Sequence, residues 1–182
     1  GENPLSIYGT ILKGAFGTAR KSWVTWQNVA ILLGISLAVT PAFKMRFWNI
    51  GGEGQIMMGA LGASYIALNY ADSMASFPLL LLMALASIVC GGLWALIPAF
   101  FKVKLGTNET IFTLMLNYIA IKIVQYLQYG PWKDPNASGF PKVANFAPAA
   151  HLPSLFGIHI GWIIALVLAA AMYVFMKYTK KG

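Results

Sequence analysis

Residues 77–101 read FPLLLLMALASIVCGGLWALIPAFF, with no charged side chain among them. As a helix this stretch is about 37 Å long, enough to cross a hydrocarbon core with some tilt. The rest of the chain shares its character: of 182 residues 58% are hydrophobic and 10% charged, and the mean hydropathy is +0.67. That composition is too apolar for an ordinary soluble domain and points to an integral membrane protein.

Four more apolar stretches stand beside the first: Trp23 to Phe43, Ile56 to Tyr70, Ile111 to Tyr129 and Ile158 to Met176. Long runs of Leu, Ala, Ile and Met without strict alternation favour helices over a transmembrane barrel. The expected fold is an all-α integral membrane protein, a polytopic helical bundle of about five transmembrane segments forming one domain over residues 1–182. A glycine-rich break separates the first two segments. The second is short, about 22 Å as a helix, so it either recruits flanking residues or is half of a broken helix. Residues 1–21 form an external lead-in, with Ile11, Leu12 and Phe16 on one side of an interfacial helix. Five prolines between Gly130 and His159 rule out a long regular element and predict an irregular external loop. Gly59 and Ala63, four apart, suit close helix packing, and Gly91 and Gly92 interrupt the longest span.

The formal net charge is +8, but the basic residues are scattered singly or in pairs and build no face for nucleic acid. They mark topology instead. Lys44 and Arg46, Lys102 and Lys104, and Lys177, Lys180 and Lys181 fall in short connections on one side, which the positive-inside rule makes cytoplasmic. Residue 1 is then outside and residue 182 inside. The single cysteine, Cys90, lies in the longest apolar run and is read as packing. The chain begins with Gly and shows no targeting peptide, and the expectation is a fragment of a longer membrane protein.

No catalytic constellation stands out. His151 and His159 lack a nearby carboxylate or cysteine, and GGEGQ at 51–55 lacks the Gly-Lys-Ser/Thr of a phosphate-binding loop. The glycine cluster has another physical use. Gly51, Gly52 and Gly54 let the chain turn sharply and leave N–H groups facing a cavity where the helix from Ile56 begins. Glu53 is favoured there by the helix dipole, Asn49 can cap the helix, and Gln55 adds a polar tip. Two readings stay open: a solvated turn at the water boundary, or a broken backbone lining a transport path. In the fourth span Thr113, Asn117, Lys122, Gln125 and Gln128 fall within about half of the helical circumference. Asn117 is the deep pathway candidate, and Lys122 is read as snorkelling.

Three stretches then carry a resemblance: FWNIGGEGQIMMGALGA from Phe47, KLGTNETIFTLMLNYIA from Lys104, and HLPSLFGIHIGW from His151 leading to KYTKKG. In this order and spacing, over about residues 41–182, the chain resembles the permease subunits of bacterial ABC importers for nucleosides and simple sugars. The branch is the one that works with basic-membrane-protein-type lipoproteins. The chain departs from the family at Gly52, where Ala is usual, and in the Met45 to Trp48 lead-in. The resemblance implies a translocation path for nucleosides, with simple sugars or another small polar solute as the alternative and a channel-like subunit behind them. It implies no catalysis and no cofactor in this chain. The implied partners are an ATP-binding cassette ATPase, a second permease subunit, an extracytoplasmic binding lipoprotein and the bilayer of a bacterial plasma membrane. The family's ATPase-docking loop lies beyond this segment. Asn49, Gly51, Gly52, Glu53, Gly54, Gln55, Asn117, Tyr118 and Gln125 are the expected pathway residues, with amide, hydroxyl and aromatic groups suited to a neutral solute.

Overall fold

The computed structural model describes residues 3–155 and 158–179. Phe156 and Gly157 of the third motif, and Lys180, Lys181 and Gly182 of the topology argument, lie outside the described residues. The chain divides into two compact units, one made of residues 1–44 and 152–182 and the other of residues 45–151.

In the first unit, α1 spans Pro4–Phe16, α2 Ala19–Lys44 and α6 Gly161–Tyr178. Asn3 caps α1 by accepting a hydrogen bond from Leu5 N at 3.0 Å, with Pro4 in the first helical position. The expected interfacial residues Ile11, Leu12 and Phe16 are exposed on this helix. Thr25 of α2 donates to the Ala15 carbonyl at 2.8 Å, tying α2 to α1. α2 also packs against α6. The last span begins at Gly161 rather than at Ile158, because Ile158–His159 (β2) pairs antiparallel with Ser154–Leu155 (β1).

In the second unit, α3 spans Gly52–Tyr70, α4 Ser76–Leu105 and α5 Glu109–Tyr129. The short apolar stretch after the glycine cluster thus recruits Gly52, Glu53, Gly54 and Gln55 into its helix, and α3 reaches 19 residues, about 28 Å. The break between α2 and α3 narrows to residues 45–51. α3 and α4 form a close pair, with small residues at the contact. A Cβ added to Gly62 would stand 2.7 Å from Cys90 Sγ and 2.8 Å from the Ala86 carbonyl, and one on Gly59 would stand 2.9 Å from Ser87 Oγ. The working pair is therefore Gly59 and Gly62, one helical turn apart, rather than Gly59 and Ala63. Cys90 packs, as its setting suggested.

Gly106, at φ 64°, closes α4 with its N–H on the Lys102 carbonyl, and Asn108 caps α5 by accepting from Thr110 N and Ile111 N. The proline-rich segment after α5 is irregular and well held. Lys133 bridges Val143, Asp134 N donates to the Lys142 carbonyl at 2.7 Å, and Gln128 Nε2 donates to the Pro141 carbonyl at 2.8 Å. A 3-10 turn at Pro148–Ala150 brings Ala150 into a small buried cluster with Ala67 and Leu79, flanked by Phe146 and Met74.

Among the described residues, α2, α4, α5 and α6 are long and apolar enough to cross a membrane. With the helical character of the chain, this makes it a multi-pass membrane protein of the all-α class.

Candidate functional site: an elbow clasped at the start of α3

The chain turns into α3 through Asn49, Ile50 and Gly51. Every α-helix begins with N–H groups that have no partner inside it. Here the residue at the cap position is Gly51, which has no side chain to offer. The partners come from elsewhere. Asn117 of α5, 5% exposed, accepts from Gly54 N through Oδ1 at 2.8 Å and donates from Nδ2 to the Ile50 carbonyl at 3.0 Å. Thr113, one turn earlier and fully buried, accepts from Ile50 N at 3.2 Å. It donates its own hydroxyl to the Thr110 carbonyl at 3.1 Å. Two side chains of α5 thus hold both sides of the elbow.

Asn49 was expected as the helix cap; it acts two residues earlier. Its Oδ1 accepts from Gly51 N at 2.9 Å, closing an Asx-type turn, and its amide pairs with that of Gln55 in both directions at 3.3 Å. The elbow is also too tight for side chains at two glycines. A Cβ on Gly54 would lie 2.8 Å from Asn117 Oδ1 and 3.2 Å from Trp94 Nε1, and one on Gly51 would lie 3.0 Å from both Asn49 Oδ1 and Thr113 Cβ. Glycine is needed here for close approach. Among the described residues the Trp94 indole N–H is buried beside this point without a hydrogen-bond partner.

Glu53 is exposed on the first turn of α3, and bracing of the turn falls to Asn49, Thr113 and Asn117. The carboxylate that is buried here is another one. Glu109 opens α5, is 8% exposed, and pairs with Lys102 Nζ at 2.6 Å, linking the end of α4 to the start of α5. A carboxylate at a helix N-terminus is also favoured by the helix dipole. The Asn-Glu pair just before an apolar run is a helix-start signal that could have singled it out.

The polar half-circumference expected on α5 divides in two. Thr113 and Asn117 face inward to the elbow, while Tyr118, Lys122 and Gln125 are exposed on the other side. At 100° per residue Lys122 stands about 180° from Thr113, so a count of polar positions could not tell the two faces apart. The structure therefore gathers Asn49, Gly51, Gly54, Gln55 and Asn117 into one hydrogen-bonded elbow with Gly52 and Glu53 at its rim. Tyr118 and Gln125 lie apart from it.

A family model described as the permease component of branched-chain amino acid transport systems matches residues 20–182. The chain is 34% identical to the glucose ABC transporter permease protein of Haloferax volcanii, with 99% of this chain and 50% of that protein covered. It is 29% identical to the guanosine ABC transporter permease protein of Bacillus subtilis, over 100% of this chain and 53% of that one. With the nucleoside ABC transporter permease protein of Lactococcus lactis the identity is 35%, covering 66% of this chain and 33% of the other. The chain spans about half the length of the first two relatives. No solved structure matches it significantly.

Proposed function

Because the chain belongs to the family of branched-chain amino acid transport permeases, we propose that it forms part of the translocation path of an ABC importer for nucleosides. The observation that carries this reading is the family match over residues 20–182, together with relatives named for guanosine and nucleosides. Transport needs no chemistry from these residues. ATP hydrolysis belongs to a separate ATPase subunit, capture of solute to an extracytoplasmic binding lipoprotein, and the path is completed by a second permease subunit in the plasma membrane.

The elbow suits such a path. Irregular backbone at membrane depth survives where protein buries it or where it lines a water-filled cavity. Asn117 and Thr113 bury one side of this elbow, and Glu53 and Gly52 stand at the other. In this reading Asn117, Gly51 and Gly54 fix the shape of the wall, and Glu53, Tyr118, Gln125 and the Asn49–Gln55 amide pair offer weak contacts to a neutral, hydroxyl-rich solute. Weak contacts are what an importer needs, since it must release its cargo.

A second reading, import of simple sugars, is favoured by the Haloferax relative, which is named for glucose. Competition uptake separates the two. With the protein expressed beside its partner subunits, labelled guanosine or uridine uptake should fall with excess of other nucleosides and stay unchanged with excess ribose, galactose or glucose. Inhibition by the sugars alone moves the reading to sugar import, and uptake independent of ATP removes the ABC mechanism.

The proposed orientation, residue 1 outside and residue 182 cytoplasmic, takes α3, 19 residues long, as a fifth crossing beside α2, α4, α5 and α6, and it has its own test. In a Cys90→Ala background, single cysteines at Ser73 and Ser138 should react with an impermeant thiol reagent in intact cells, and one at Lys104 should react only after permeabilisation. All three positions are exposed in the fold. The reverse pattern would overturn the orientation.

A further inference from the structure

The outward face of α5 carries large, polar-tipped side chains where the close contacts of α3 carry glycines. Tyr118, Lys122 and Tyr126 follow one another at four-residue steps, which places them in a single row along the helix. Tyr118 is 59% exposed and Tyr126 71%, and with Ile119 and Ile123 the three line a shallow cleft of about 410 Å³. Lys122 Nζ donates to Gln125 Oε1 at 3.1 Å. Along a helix running from Glu109 to Tyr129, Tyr118 stands about 14 Å from one end and 16 Å from the other, and Lys122 about 10 Å from the nearer end.

Three environments can be compared for this row. Lipid fits poorly at Tyr118, because tyrosine belongs at the membrane interface rather than mid-span, and ammonium and amide groups within a span face protein or water; Tyr126, three residues from the helix end, stands where an interface suits it as well. A tight helix neighbour fits no better. The contacts of α3 with α4 and α5 are made through Gly54, Gly59 and Gly62, meeting Asn117, Ser87 and Cys90, as small-residue packing in membranes demands. Two tyrosines and a lysine in line hold a neighbouring backbone away. A water-filled cavity satisfies the polar groups of the row: the phenol tips and ammonium are hydrated, and the mostly apolar lining of the cleft, ring faces with Ile119 and Ile123, stays open to stack on a flat heterocycle or a sugar face.

We infer that the Tyr118–Lys122–Tyr126 row is a wall of the aqueous path and that Lys122 sets its charge selectivity, favouring neutral and anionic solutes over cations. The inference rests on the transport reading and deepens it. A fixed ammonium about four residues from each ring, in a cavity with low-dielectric walls, shifts the local preference between singly charged cations and anions by on the order of tenfold.

The test needs no uptake. In a Cys90→Ala background of the assembled transporter in membranes, single cysteines replace Tyr118, Tyr126 or, as a control, Val89, which is exposed on the uncharged α4 stretch. Each is treated with thiosulfonate reagents that differ only in carrying a trimethylammonium or a sulfonate group. Cysteines at 118 and 126 should react and the one at 89 should not. At position 118 the ratio of anionic to cationic reaction rates should fall about tenfold when Lys122→Gln is added. An effect of Lys122 on the thiol's own ionisation cancels in that ratio. Silence at 118 and 126 overturns the wall. Reaction at both positions with a ratio indifferent to Lys122→Gln overturns the selectivity role, and the competition uptake above judges the transport reading separately.

Discussion

Asn117→Leu is expected to destabilise the protein by about 1–4 kcal/mol and to lower the recovery of folded protein from detergent extracts. The substitution is nearly isosteric and apolar, so hydrophobic burial alone predicts little harm. The loss comes from what the amide holds. Gly54 N, which is buried, and the part-buried Ile50 carbonyl both bond to Asn117, and with leucine there each loses that partner, at about 1–3 kcal/mol for the buried N–H and less for the carbonyl. Interhelical hydrogen bonds in membranes average only about 0.6 kcal/mol, because side chains find other partners in the reference state. The N–H of a first helical turn has no such partner within its helix, so the larger figure applies. Asn117→Asp keeps an acceptor for Gly54 and loses the donor to Ile50, and should fall between. Tyr118→Phe, the next residue but on the exposed face, should stay within about 0.5 kcal/mol of the parent. Melting in detergent, followed by size-exclusion recovery, reads all three. If Asn117→Leu melts with the parent protein, the clasp contributes nothing and the elbow is held by packing alone.

The composition and the uncharged stretch at 77–101 made the membrane fold legible, because desolvation of charge in a bilayer is large enough to show in any window of the sequence. The segment boundaries were less legible where glycine intervened. Gly52 and Gly54 read as a turn, since glycine is a poor helix former, yet both are helical because Asn117 and Thr113 on a segment some sixty residues away satisfy the chain there. That partnership is tertiary and leaves no local signal. Asn117 was legible as important and illegible in its role: an amide at membrane depth can face a path or brace a backbone, and only the second uses both of its atoms on main-chain groups. Glu109 was overlooked for a related reason. It sits at a segment end, where a charge looks solvated, but Lys102 reaches it across the α4–α5 turn and lets it be buried. The divided polar face of α5 shows the same limit: periodicity finds polar positions, and neighbours decide which way they point.

The contact between α3 and α4 should be the least tolerant place in the chain, and Gly62→Leu should leave no recoverable folded protein. The argument starts from the smallest change. A single Cβ at Gly62 would lie 2.7 Å from Cys90 Sγ, 3.1 Å from Cys90 Cβ and 2.8 Å from the Ala86 carbonyl oxygen. The sulfur can be removed by mutation; the carbonyl belongs to the α4 backbone and yields only if the helices part. Separation would also open the Gly59 contact with Ser87 and the approach of Gly91 to the Gln55 carbonyl, since all three lie along one seam. Gly62→Ala should therefore cost about 1–3 kcal/mol, the usual scale of overpacking. Adding Cys90→Gly should recover only part of that loss, because the carbonyl clash remains. Gly92→Ala supplies the contrast. Nothing lies within 4 Å of a Cβ there, so that change should be neutral or stabilising by up to about 1 kcal/mol through helix propensity. Thermal melting of the purified variants ranks them, and membrane abundance of Gly62→Leu against its parent reads the extreme case. Full rescue of Gly62→Ala by Cys90→Gly would show that the Cys90 side chain alone sets the spacing; parent-like melting of Gly62→Ala itself would show that the seam has slack and that α3 and α4 are held by something other than close approach.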